Sequence, residues 1–309
     1  MENEDIIIID SLTKDYGQGR GIFNVSFSVH KGECFGFLGP NGAGKSTTIR
    51  HLMGFSKPDS GKATINGIEA YKNLSGAMAS TSYLMGEVAL PKLLTGKQFL
   101  DEMASLKGVT DFSLRDYLVN YFGLDLSMLC KDMSTGGKRK LAVVSCFMSD
   151  PDVIVMDEPS SGLDPEMQQR FLSLIEEEKK RGKTMLLSSH IFSEVDSCCD
   201  RIAIIKDGSI VSLFDSASLK HKENKTYKIR FASKDEYDSF IKKKSQKWKI
   251  VDKTNKEHQA VVVINEKDSL SLIKEMTKFK VRDLSEIKET LEDYFMSFYK
   301  EDRSYVGLN

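Results

Sequence analysis

The sequence predicts an α/β domain followed by a smaller α+β domain. Three observations carry that expectation. Strand-like and helix-like stretches alternate up to about residue 215. A glycine-rich turn joins a short apolar run to a helix. Glycine and proline then vanish from Ser209 to Val306, and all six prolines lie at or before position 165. Charge divides the same way. From Lys220 onward there are 21 Lys and Arg against 16 Asp and Glu, while the chain as a whole carries −1. A boundary near 215–225 follows, with "KHKENK" as linker, and the domains are drawn at 1–219 and 220–309.

The elements of the first part follow from periodicity. "DIIIIDSLTKDY" and "GIFNVSFSVH" alternate apolar and polar residues, as half-buried strands do. "ECFGFLG" is a short apolar strand, and a helix runs from "GAGKST" through about Met53. "KATINGIEA" reads as another strand, and the stretch from about 95 to 150 is mostly helical. "DVIVMDEP", a helix over 165–180, "TMLLSS", "RIAIIKDG" and "SIVSLFD" complete the domain. The second part reads strand 226–232, helix 234–244, strands 247–252 and 259–265, helix 268–278 and strand 279–284. That βαββαβ order predicts a split, ferredoxin-like unit. A closing helix is expected to place Ile287, Leu291, Tyr294, Phe295 and Phe298 on one face, a docking or core stripe.

Composition removes several function classes. A hydrophobic share of 40% supports a sizeable core, and a net charge of −1 gives no global pull toward nucleic acid or anionic lipid. Aliphatic runs such as Ile6 to Ile9 are far short of the roughly 18 residues a membrane helix needs. The start "MENED" is acidic where a secretion signal would be basic. Cys34, Cys130, Cys146, Cys198 and Cys199 include no C-x-x-C pair, so they read as reduced cytosolic thiols rather than metal ligands.

"GPNGAGKST", residues 39–47, fits G-x-x-x-x-G-K-[ST] between a strand and a helix. Its glycines Gly39, Gly42 and Gly44 let backbone wrap closely around phosphate. The main chain of Pro40, Asn41, Ala43, Lys45, Ser46 and Thr47 completes a nest of N–H groups at a helix start. Lys45 reaches the β- and γ-phosphates, and Ser46 offers a hydroxyl to Mg²⁺. "VIVMDEP" is the second half. A buried strand delivers Asp157 to the metal shell and Glu158 to general-base work on water. Adjacent strand residues point opposite ways, so both act together only if the strand ends between them.

"DMSTGGKRKL", residues 132–141, is a poor start for an ordinary helix, because glycine lowers helix propensity. It gathers bare backbone N–H groups, one hydroxyl and positive charge. With these motifs in this order, residues 5 to 220 resemble an ATP-binding cassette (ABC) ATPase. The resemblance implies a P-loop fold with a RecA-like core, an antiparallel β subdomain and a helical subdomain over about 88–150. "MSTGG" stands where that family has "LSGGQ", with Met133, Thr135 and Gly137 departing from the pattern. It implies that Ser134, Gly136 and Gly137 meet the nucleotide held by a second subunit. It also implies that Asp164 in "SSGLDP" lies near the dimer seam, that His190 in "LLSSH" orients γ-phosphate and water, and that Tyr16 stacks on adenine. The family's metal-sensing Gln or Glu falls on Gly86 in "SYLMGEVAL", so Glu87 is assigned that role.

The ending "VRDLSEIKETLEDYFMSFYKE" resembles cassettes of drug-, antibiotic-peptide- and other small-molecule exporters. The implied protein binds and hydrolyses ATP with Mg²⁺. It works as a homodimer or with a closely related cassette, on a separate transmembrane permease at the cytoplasmic face. Two other readings stand beside it. One is an ABC-type ATPase acting on nucleic acid or ribosomes, for which "IKKKSQKWK" is the best feature; a lysine-rich edge strand explains that run as well. The other is a regulator that binds nucleotide without hydrolysing it. No nucleic-acid partner is expected.

Overall fold

The computed structural model describes residues 4–220, 224–243, 245–287 and 290–300. The chain forms two compact units, Met1–Ser216 and Ala217–Asn309. Residues 221–223 of the expected linker and Lys244 of the lysine run lie outside the described residues.

The first unit opens with β1 (Asp5–Asp15), β2 (Gly21–His30), β3 (Cys34–Leu38), α1 (Lys45–Leu52) and β4 (Ser60–Ile65). A short α2 (Leu74–Met78) and β5 (Thr81–Leu84) lead to α3 (Gly96–Lys107), α4 (Ser113–Tyr121) and α5 (Thr135–Phe147). Then come β6 (Val153–Asp157), α6 (Pro165–Lys180), β7 (Thr184–Ser189), α7 (Phe192–Cys198), β8 (Arg201–Lys206) and β9 (Ser209–Asp215); α8 (Ser216–Lys220) begins at the last residue of this unit and continues into the second. The strand expected over "KATINGIEA" stops at Ile65. Asn66 and Gly67 both take left-handed backbone, and Ile65 and Ile68 bridge across that turn. Helices α2, α7 and α8 were not expected; at five to seven residues they are too short to show a period.

Two sheets share one core. β2, β1 and β4 form an antiparallel sheet. The larger sheet runs β5-β6-β7-β3-β8-β9, parallel except for β9. Val25, Phe27, Phe35, Phe37, Ile49 and Leu186 sit in the apolar cluster between them, and the Phe27 and Phe35 rings stack at 4.9 Å. Every residue of β3, β6 and β7 is buried, as strands covered on both faces require. The consequence for function is positional. β6, β7 and β3 are neighbours, so their carboxyl ends bring three distant loops together, the place where open α/β sheets bind ligands.

The second unit contains β10 (Asn224–Phe231), α9 (Lys234–Ile241), β11 (Trp248–Thr254), β12 (Gln259–Asn265), α10 (Ser269–Met276), β13 (Val281–Ile287) and α11 (Leu291–Lys300). Its sheet is antiparallel in the order β11-β12-β10-β13, over a core that includes Ile229, Phe231, Phe240, Val262 and Leu272. β11 is an edge and carries exposed Lys249 and Lys253. The closing stripe needs one correction. Ile287 is not on the helix; it pairs with Thr226 as the last residue of β13 and is exposed. Leu291 and Phe295 of α11 are buried, and Tyr294 and Phe298 are half-buried.

Candidate functional site

β3 ends at Leu38, and Gly39 donates its N–H to Ser189 O at 3.3 Å, tying the following loop to β7. A Cβ at Gly39 would lie 2.5 Å from Ile205 O, so only glycine allows this approach. Gly42 and Gly44 have φ of +83° and +113°, which turn the loop into α1. Pro40, Asn41 and Gly42 are exposed at its tip, and Ala43 is buried, donating to Pro40 O at 3.2 Å. Helix α1 has no side-chain cap and no acidic residue in its first turn. Its leading N–H groups are thus left for an anion, where the helix dipole adds up to about 2 kcal/mol. Ser46 is exposed and Thr47 half-buried on that turn. Lys45 is 5% exposed, a burial that requires partners. It donates to Gly39 O at 2.7 Å and Pro40 O at 3.2 Å, and pairs with Glu158 Oε1 at 3.0 Å.

β6 ends between Asp157 and Glu158. Glu158 takes φ +48°, a left-handed conformation uncommon outside glycine, which lets it leave the alternation of the strand. Asp157 is buried and accepts from the Ser188 hydroxyl on β7, while Glu158 N–H donates to Ser188 O at 3.0 Å. Glu158 Oε2 lies 2.7 Å from His190 Nδ1. One carboxylate therefore joins Lys45 and His190, although the three residues come from three separate strand ends. Burial, with Asp157 nearby, pushes the Tyr83 hydroxyl up to about 12.

A further relay holds His190. Ser189 Oγ donates to Glu194 Oε2 at 2.5 Å and accepts from Ile191 N–H at 2.9 Å, so the bonds bracket the histidine. Burial drives the Glu194 carboxyl up to about 7, against hydrogen bonds from Ser189 and Ser160 that pull it down. Neither Ser188, Ser189 nor Glu194 was singled out in the sequence. "LLSS" shows only a strand, and Glu194 reads as an ordinary helix acid.

Ser134 is exposed at the N-cap of α5, and its hydroxyl accepts from Gly137 N–H at 3.0 Å. Gly136 faces the loop after β6, where an added Cβ would stand 3.1 Å from Gly162 O. Asp164 caps α6 by accepting from Met167 N–H at 3.0 Å. Tyr16 is 54% exposed just past β1, with Lys14 Nζ 5.9 Å from its ring centroid. Gly86 packs on Asp157: a Cβ there would be 3.3 Å from Asp157 Oδ2. Glu87 is exposed and makes no hydrogen bond or ion pair among the described residues. The structure thus brings Gly86, not the Glu87 side chain, against Asp157.

Arg139, also missed in the sequence, fills part of that gap. It is 5% exposed on α5, donates to Met85 O at 2.8 Å and Ser161 O at 3.0 Å, and also donates to Gly86 O. Three carbonyls on two loops flanking Asp157 and Glu158 are fixed by one guanidinium fork. A basic residue in "KRK" carries no sign of burial; only the packing of α5 reveals it.

The donor sets fit two ligands. The uncapped turn of α1 with Lys45 suits a polyphosphate, and the hydroxyl of Ser46 with the carboxylate of Asp157 is the hard-oxygen set Mg²⁺ prefers. The ABC transporter family model matches residues 22–161. An uncharacterised ABC transporter ATP-binding protein of Bacillus subtilis, YhcH, is 31% identical over 97% of this chain and 98% of its own length. The chain belongs to the ATP-binding proteins of ABC transporters. The linearmycin resistance ATP-binding protein LnrL of Bacillus subtilis is 34% identical over 66% of this chain and 67% of its own. A solved ATP-binding subunit of an ABC transporter superposes with a TM-score of 0.64 at 28% identity, covering 70% of this chain and 92% of that one. As an ABC ATPase, the chain has a family fold that binds ATP, generally with Mg²⁺. No described helix is long and apolar enough to cross a membrane.

Proposed function

We propose that this ABC ATPase hydrolyses ATP to ADP and phosphate and drives export of a drug, antibiotic peptide or other small hydrophobic compound. It acts through a separate transmembrane permease, at the cytoplasmic face of the membrane, as a head-to-tail dimer closing on two ATP molecules. The observation that carries the chemistry is Glu158, held between Lys45 at 3.0 Å and His190 at 2.7 Å. The similarity to a linearmycin resistance protein supports the exporter reading.

In this mechanism the phosphates lie on the first turn of α1 and compete with Glu158 for Lys45. The freed carboxylate accepts a proton from the attacking water, while His190 keeps Oε2 in place. Ser46 and Asp157 would hold Mg²⁺, which would neutralise phosphate charge. Glu87 stands exposed beside that site, next to Gly86, which covers Asp157. Tyr16 stacks on the base through its exposed ring. Ser134, Gly136 and Gly137 of one copy, at the start of α5, cap the nucleotide of the other. Shifting a conformational equilibrium from 1:99 to 99:1 takes about 5.5 kcal/mol of differential binding, which favours two sandwiched nucleotides over one.

Glu158→Gln tests the reading. It retains the packing and removes the base, so ATP binding persists, steady turnover falls by about 10²–10⁴-fold, and an ATP-dependent dimer accumulates. Turnover at the wild-type rate would remove Glu158 as the base.

A further inference from the structure

Away from the nucleotide site, three of the five cysteines meet. Cys34 opens β3, Cys198 ends α7, and Cys199 follows it. Cys34 Sγ and Cys198 Sγ each lie 3.8 Å from Cys199 Sγ, and the three sulfurs are within 4.8 Å of one another. All three residues are buried, at 0%, 1% and 5% exposure. We propose that Cys34, Cys198 and Cys199 form a binding site for one thiophilic d¹⁰ cation, Zn²⁺ or Cu⁺.

The geometry comes first. A metal–sulfur bond of about 2.3 Å places two tetrahedral sulfurs about 3.8 Å apart and two trigonal ones about 4.0 Å apart. The spacing around Cys199 needs almost no adjustment to hold such an ion. The backbone is also set in advance. Cys34 N–H donates to Asp200 Oδ2 at 3.0 Å, and Asp200 N–H returns a bond to Cys34 O at 2.8 Å. Cys199 N–H donates to Val195 O at 3.0 Å, which fixes the end of α7. Gly36 makes the approach possible, since a Cβ there would stand 2.6 Å from Val195 Cγ1 and 3.1 Å from Cys199 Sγ. Residues 165 positions apart are thus clasped before any ligand arrives.

Charge and softness fit as well. Sulfur ligands select soft or borderline d¹⁰ ions over Mg²⁺, so the site does not compete with the phosphate site for its metal. Three thiolates with Zn²⁺ carry a net −1. Lys179 stands beside the site, donating to Cys198 O at 3.0 Å and pairing with Asp200 Oδ1 at 2.9 Å and Glu176 Oε1 at 3.6 Å. Cys198 Sγ sits 3.2 Å from Glu194 O, to which its thiol donates. Binding sends the thiol protons to buffer and places a sulfur lone pair from each residue on the cation; no electron changes hands and no oxidant is needed.

A bound ion would tie the strand that enters the phosphate loop to the helix that leaves His190. Ordinary sulfur packing gives a similar spacing, and titration separates the two. The full chain, reduced and freed of metal, is titrated with Zn²⁺ against a chromophoric chelator. A second arm uses Cu⁺ under anaerobic conditions against a cuprous chelator. The arm that gives one equivalent per chain and a higher Tm names the ion. Cys34→Ser, Cys198→Ser and Cys199→Ser each weaken that binding by more than about tenfold, whereas Cys130→Ser and Cys146→Ser leave it unchanged. X-ray absorption of the loaded wild-type chain requires no variant to fold, and shows a shell of three sulfurs at about 2.3 Å. Failure of both ions to bind stoichiometrically, or a shell of nitrogen and oxygen, overturns the site.

Discussion

The two units solve the same problem, covering a sheet, with opposite materials. In the first, β3, β6 and β7 are buried at every position, and their ends turn through left-handed residues such as Gly42, Gly44 and Glu158. In the second, burial alternates along β12, and His258 is the single left-handed residue among those described. The second unit holds no glycine or proline before Val306 and packs around rings, with Phe231 against Tyr237, Phe240 and Phe279. The lesson is physical. Close backbone approach and buried polar groups gather where a ligand must be met, and a scaffold without them relies on side-chain volume.

That contrast can be broken at its strongest point first. Phe231→Ala removes a buried ring and should destabilise the second unit by about 3–5 kcal/mol. Trp248, the one tryptophan, packs against this core and reports its unfolding by fluorescence, while nucleotide binding by the first unit should stay intact. Loss of both together would mean that the units do not unfold separately.

Next in size is Glu194→Gln. Burial pushes the folded carboxyl up to about 7 from its ordinary 4.5, so the folded state holds the proton more tightly. Its contribution is full below pH 4.5, declines between 4.5 and 7, and is flat above. The loss amounts to about 3 kcal/mol. The variant should abolish that decline when denaturant unfolding of the first unit is compared at pH 5 and pH 8. An identical slope in both proteins would place the titration elsewhere.

A smaller effect is expected from adding one methyl. Gly36→Ala pushes against Val195 and Cys199, and overpacking of this kind costs about 1–3 kcal/mol, read as a lower Tm. A methyl added to an exposed side chain of the second unit, as in Val251→Ile, should cost almost nothing. Smallest of all, Ser134→Ala removes the cap on α5, worth about 1 kcal/mol of stability. If Ser134 serves only as a cap, turnover should change no more than stability does. A far larger drop in ATP-dependent dimer formation marks its role in the sandwich.

Much of the molecule was legible because its information is local. The phosphate loop announces itself through glycines that must adopt positive φ beside a strand, and the βαββαβ order of the second unit follows from periods of two and 3.6. Asp157 and Glu158 were readable as a pair, and the turn that separates them has the required hand. The errors were also local. β4 ended early at Ile65, where Asn66 turns left-handed, and Ile287 belonged to a strand because Thr226 pairs with it.

By itself, then, the sequence located the glycine-rich loop and most of the strands, since dihedral limits and burial periods act over a few residues. Only the tertiary structure decided who meets whom. The order β6-β7-β3 carries Glu158, His190 and Lys45 to one point, the burial of α5 turns Arg139 onto Met85 and Gly86, and the closure of α7 on Gly36 delivers Cys198 and Cys199 to Cys34. Parallel neighbours are joined by long crossovers, so adjacency in such a sheet leaves no trace in local spacing.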